Sequence, residues 1–79
     1  MNIVILGTGC TKCKTLEKVT REAVSELGIA ATIIKEEDIV KIMSYGILST
    51  PGLVINDRLV LSGRVPSRKE IEELITRNQ

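Results

Sequence analysis

Two cysteines, Cys10 and Cys13, are the residues of this chain best suited to chemistry, and two residues separate them in Gly7-Thr8-Gly9-Cys10-Thr11-Lys12-Cys13. An apolar run, Ile3-Val4-Ile5-Leu6, precedes them and a helical pattern follows. The pair therefore falls at a strand-to-helix junction, where unpaired N–H groups and the helix dipole favour negative charge. A thiolate is such a charge. At a helix start a cysteine pKa falls from about 8.5 to between about 3.5 and 7.5, which makes the sulfur a nucleophile near neutral pH. This spacing and setting predict thiol–disulfide exchange. Two cysteines so close cannot staple a fold, because the loop that they close constrains little of the unfolded chain.

The elements that must hold this loop read clearly from the pattern. With 79 residues, 43% of them hydrophobic, the chain has the size of one domain, residues 1–79, around one core. Tyr45 is its one aromatic residue, so aliphatic side chains must build that core. Residues 2–6 form a strand apolar on both faces, as at the centre of a covered sheet. A helix begins at about Thr11, its buried face marked by Leu16, Val19, Thr20, Ala23 and Leu27, and Gly28 ends it. A second strand spans Ala31 to Lys35 and pairs in parallel with the first. Glu36-Glu37-Asp38 then open a short helix through about Tyr45, with Ile39, Ile42 and Met43 as its core face and Gly46 as its stop.

After Ser49-Thr50-Pro51-Gly52 comes a hairpin: Leu53-Val54-Ile55, a turn at Asn56-Asp57, and Arg58 to Leu61. Gly63 marks a bulge or a close backbone approach. Ser67-Arg68-Lys69-Glu70 reads as a capping box opening the last helix, which buries Ile71, Leu74 and Ile75. The order is β-α-β-α-β-β-α.

In this order, and with these motifs, the whole chain resembles the small thioredoxin-like, redox-active disulfide proteins of prokaryotes. The resemblance is carried by Gly7-Thr8-Gly9-Cys10-Thr11-Lys12-Cys13, Tyr45-Gly46, Ser49-Thr50-Pro51 and Gly63. It implies the minimal thioredoxin fold, an α/β domain with a four-stranded mixed sheet flanked by three helices. It also implies that Cys10 is the exposed attacking thiol and Cys13 the buried resolving one. Pro51 matches a proline that follows a cis peptide bond and packs on the disulfide. Thr50 matches the residue whose backbone pairs with an extended substrate segment. Gly9, just before the pair, and Thr11 and Lys12, between the two cysteines, are expected to support substrate binding, and Gly7 and Gly9 let the backbone turn and leave Cys10 accessible.

Protein disulfides are the implied substrates, a thioredoxin-reductase-like enzyme the implied electron donor, and the disulfide itself the redox group, with no separate cofactor. The chain departs from typical thioredoxins in three ways. Thr-Lys replaces Gly-Pro between the cysteines, no Trp precedes them, and the first strand has no acid to move a proton for Cys13.

Other functions fit less well. Two thiolates suit a soft metal such as Cu(I) in a carrier protein. That alternative leaves Thr50-Pro51 without a role, and the absence of histidine leaves a zinc site half filled. Gly7-Thr8-Gly9 after a strand fits a dinucleotide fingerprint in part, with Glu36 near the ribose position, but Lys12 occupies the third glycine position. A net charge of +1 and one aromatic residue point away from nucleic acid. No secretory signal or membrane-spanning run is evident, so a cytoplasmic monomer is expected. Lys12 and Lys14 read either as thiolate-stabilising charges or as ordinary solvated lysines, and Tyr45 either as a flank of the redox site or, the favoured reading, as a half-buried packing residue.

Overall fold

A computed structural model describes residues 1–47 and 49–79. Its elements are β1 (Asn2–Leu6), α1 (Thr11–Leu27), β2 (Thr32–Glu36), α2 (Ile39–Ser44), β3 (Gly52–Ile55), β4 (Arg58–Ser62) and α3 (Arg68–Arg77). The strands form one mixed sheet in the order β2-β1-β3-β4, with β1 parallel to β2, antiparallel to β3, and β3 antiparallel to β4. β1 and β3 are thus the inner strands, which explains why both are apolar on their two faces. All four residues of β3 are buried.

Alternation along the strands divides the core into two layers. Ile3 and Ile5 of β1 join Leu53 and Ile55 of β3 beneath α1 and α3, with Leu16, Ala23, Ile71 and Ile75. Leu6 and Val54 point the other way and pack with Ile42 and Ile47. Asn56 and Asp57 turn the β3–β4 hairpin with φ of 50° and 66°, values that suit a tight two-residue connection. Asn56 also ties three parts of the chain together. Its Oδ1 accepts from Asn2 N–H at 3.0 Å, and its Nδ2 donates to the Asn78 carbonyl at 2.8 Å.

Several expectations are corrected in detail. Ile39 and Met43 are not core residues: they are 54% and 66% exposed, and Ile42 alone represents α2 in the core. A helix of six residues has too few turns to present a stripe, so one side chain reaches the sheet and its neighbours face outward. Asp38 caps this helix, its carboxylate accepting from Val40 N–H at 2.9 Å, and Tyr45 lies just beyond its end, half-buried against the Leu6–Ile42 layer. Glu36, expected to open the helix, is instead the last residue of β2.

The irregularity in the hairpin lies between Leu53 and Val54, opposite Leu59 and Leu61, rather than at Gly63. Gly63, at φ 81°, is the close approach: its N–H bonds the Pro51 carbonyl at 2.8 Å. Only half of the capping box forms. Ser67 Oγ accepts from Glu70 N–H, while the Glu70 carboxylate turns to Arg64.

Thr20, placed on the buried face of α1 by its spacing, carries a consequence. Its hydroxyl is fully buried and has no hydrogen-bond partner among the described residues. A valine of the same shape removes that uncompensated desolvation, so Thr20→Val is expected to stabilise the fold by about 1 kcal/mol. Denaturant unfolding at constant slope measures this directly. A destabilised variant would mean that the hydroxyl is satisfied in solution.

Candidate functional site

The cysteine loop connects the carboxyl end of β1 to α1. Its first residue, Gly7, extends the parallel pairing by donating its N–H to the Glu36 carbonyl at 3.0 Å. Gly9 then takes φ 84°, a backbone conformation that favours glycine, and the chain swings into α1. Cys10 occupies the N-cap position in extended conformation, and its sulfur accepts from Cys13 N–H at 3.2 Å. Its carbonyl meanwhile receives Lys14 N–H at 3.0 Å, the first bond of the helix. A negative sulfur at position 10 would thus sit where the Cys13 N–H and the positive end of a 17-residue helix meet.

Cys10 and Cys13 form a disulfide across a Cα separation of 5.1 Å. The two sulfurs have opposite surroundings. Cys10 is exposed, whereas Cys13 is 5% exposed. Gly7 explains part of the burial, because its bare Cα lies directly against the Cys13 side chain. A Cβ there would overlap Cys13 Sγ and stand 2.9 Å from Cys13 Cβ. The sequence pattern marks Gly7 only as a turn residue; its packing role against Cys13 emerges from the fold.

The other expected site residues gather at the same end of the sheet. Register pairs Leu6 with Gly52, which puts Pro51 opposite the start of the cysteine loop. Pro51 is fully buried behind a cis Thr50–Pro51 bond, and Thr50 is half-buried. Thr11 and Lys12 are exposed in the first turn of α1 and Gly9 is exposed before it; the Thr11 carbonyl receives Thr15 Oγ1. A groove beside Thr50 is lined by Ile39, Ile42, Met43 and Ile47. Glu17 and Lys35, which the sequence pattern does not single out, line a cleft beside Cys13. The helical spacing of Cys13 and Glu17 is the available signal for the first of them. Among the described residues no group of three or more His, Cys, Asp or Glu side chains is arranged to hold a metal.

An exposed cysteine at a helix start, disulfide-bonded to a buried partner one turn on, defines a dithiol–disulfide redox protein. Comparison with known proteins gives the class its family. The Thioredoxin domain family matches residues 1–76, and the chain belongs to it. It is 43% identical over 76 residues to a thioredoxin of Methanothermobacter thermautotrophicus, covering 96% of this chain and 99% of that protein. A thioredoxin of Methanocaldococcus jannaschii is 42% identical over 71 residues, covering 90% of this chain and 81% of the relative. A probable thioredoxin of Archaeoglobus fulgidus is 33% identical over 69 residues, or 84% and 75% of the two chains. The fold is the minimal thioredoxin fold, and the chain is a thiol–disulfide oxidoreductase working through Cys10 and Cys13.

Proposed function

We propose that this single domain of residues 1–79 reduces disulfides of other proteins, with Cys10 as attacking thiol and Cys13 as resolving thiol. The observation that carries the assignment is the asymmetry of the pair: Cys10 is exposed at the N-cap and Cys13 is buried behind it. Cys10 thiolate attacks a client sulfur, forming a mixed disulfide and releasing the other client sulfur. Cys13 then attacks Cys10, restoring the intramolecular disulfide and freeing the second client thiol.

The client segment lies extended along the Thr50 backbone beside Pro51, with Gly9, Thr11 and Lys12 bordering it. A thioredoxin-reductase-like enzyme returns the two electrons, the disulfide serves as the redox group without a further cofactor, and the domain works as a cytoplasmic monomer. Among the described residues, no helix is long and apolar enough to cross a membrane.

The test is a thiol count by alkylation and mass spectrometry across a graded dithiol/disulfide buffer containing a chelator. A cooperative two-electron transition, with the protein folded at both ends, is the expected result. The midpoint then ranks the protein as reductant or oxidant, since about 30 mV is tenfold in equilibrium constant. Thiols that stay reduced throughout would overturn the reading and put soft-metal carriage first.

Lys12 lies in the exposed first turn of α1, beside the attacking sulfur in sequence. Reversing its charge in Lys12→Glu is expected to raise the Cys10 pKa by up to about one unit at low salt. Thiolate absorbance followed through a pH titration measures this, and an unchanged curve removes Lys12 from the chemistry.

A further inference from the structure

Cys13 must lose a proton before it can resolve a mixed disulfide, and its surroundings oppose this. Burial holds a thiol in its neutral form, and Gly7 closes one side of the residue. Beside it lies a cleft of about 300 Å³, whose wall includes Gly7, Cys13, Lys14, Glu17, Lys35 and Glu37. The strand beneath, Ile3-Val4-Ile5-Leu6, offers no ionisable side chain.

Four of the cleft residues are charged: Lys14 and Glu17 from α1, Lys35 from β2, and Glu37 from the connection after β2. Arg21 of α1 stands behind Glu17. The two lysines bring positive charge to the cleft and no carboxylate to take a proton. Glu37 is exposed on a connecting segment. Glu17 lies one helical turn after Cys13, and side chains four apart share a helix face.

The Glu17 side chain is 19% exposed, and its carboxylate is held from two sides. Its Oε2 accepts from Nε and Nη2 of Arg21 at 3.1 and 3.0 Å, and Lys35 Nζ lies 3.6 Å from its Oε1. The Arg21 hydrogen bond, helped by the charge of Lys35, keeps the carboxyl below its usual range. It is therefore ionised, and open to a proton, throughout the neutral range.

We propose that Glu17 accepts the Cys13 proton, through water in the cleft, during resolution of the mixed disulfide. The assignment rests on the redox roles given above. In this step the Cys13 S–H bond breaks, and its proton passes to the Glu17 carboxylate and on to bulk water. The electron pair left on Cys13 Sγ forms the bond to Cys10 Sγ. The bond from Cys10 to the client sulfur breaks, and the client thiolate leaves with that pair and is protonated from solvent. Over the full cycle the cysteine pair loses two electrons and the client disulfide gains them. A carboxyl held below its usual range is a weaker base, so the acceleration falls below the hundredfold or more of a well-matched general base.

The experiment mixes the fully reduced protein with an excess of a chromogenic aryl disulfide in a stopped-flow instrument. The first released thiol reports attack by Cys10, and the second reports resolution by Cys13. In Glu17→Gln the first phase is expected to be unchanged, which also shows that the site is intact. The second phase is expected to slow about threefold to tenfold below the titration of Cys13, and to rejoin the parent at alkaline pH, where the thiolate already exists. An unchanged second phase would overturn the proposal. So would a faster one, since the carboxylate would then be acting only as a charge that disfavours the thiolate. A slowing that is equal at every pH overturns it too. If the parent itself shows no second phase, the redox roles of Cys10 and Cys13 fail instead.

Discussion

Cys13→Ser is expected to abolish turnover and to accumulate covalent complexes in which Cys10 is joined to client proteins by a disulfide. The reason is the division of labour that burial imposes. Cys10 is exposed and receives a backbone N–H on its sulfur, so it can attack an incoming disulfide without help from its partner. Release of the product needs a second thiolate within bonding distance of Cys10, and position 13 supplies it from 5.1 Å away between Cα atoms. A serine there keeps the helix start and the packing but is a poor nucleophile toward sulfur. Client proteins should run as reducible adducts on non-reducing gels, with the linked peptide containing Cys10. Cys10→Ser should trap nothing. Equal trapping by the two variants would reverse the assignment of roles.

Gly7→Ala is expected to have the second largest effect, on stability. The added methyl has no room, because it would overlap Cys13 Sγ and crowd Cys13 Cβ. Either β1 gives way at its carboxyl end, where Gly7 N–H pairs with Glu36, or the first turn of α1 moves outward. Overpacking of this kind costs about 1–3 kcal/mol. The cost is larger in the disulfide form, where a covalent bond to Cys10 holds the Cys13 side chain, than in the dithiol, where its χ1 is free to turn. A difference of about 1.4 kcal/mol between the two forms corresponds to about 30 mV, and its direction makes the variant easier to reduce. Unfolding the oxidised and reduced proteins separately in denaturant checks both statements. Equal stability of parent and variant in both forms would show that the loop adapts freely.

The features legible in the sequence are those that depend on neighbouring residues alone. The limits of β1 at residues 2 and 6, and the start of α1 at Thr11, come from an apolar run followed by helical periodicity, and both match. The Asn56-Asp57 turn declares itself by residue type, since its backbone has positive φ at both positions. The two cysteines are legible for the same reason, their spacing and setting being local. The misreading of Ile39 and Met43 has the opposite origin. Whether a side chain is covered depends on which other element lies over it, and one short helix on the α2 face of the sheet leaves little cover. Gly7 against Cys13, and Glu17 beside Lys35, are likewise facts about what the fold brings together. Lys35 lies far beyond Glu17 in the chain, and only the parallel pairing of β2 with β1 carries it to the same cleft.

The sheet order has a consequence for how the molecule assembles. β1, α1 and β2 are contiguous in sequence, and so are β3, β4 and α3, so the pairing inside each half closes a shorter loop than the pairing that joins the halves. The seam between the halves is the pairing of β1 with β3, which joins Ile3 to Ile55 and Leu6 to Gly52. That pairing closes the longest loop of the sheet and meets the largest entropic opposition, which makes it the expected late step of folding. The cysteines belong to the first half and Pro51 to the second. A chain with only its first half formed would hold both thiols with the Leu6 face of β1 uncovered. Electron exchange with the right partners is then a property that arrives last, when the seam closes, and the rate at which the two thiols react with a bulky alkylating agent during refolding becomes a clock for that closure.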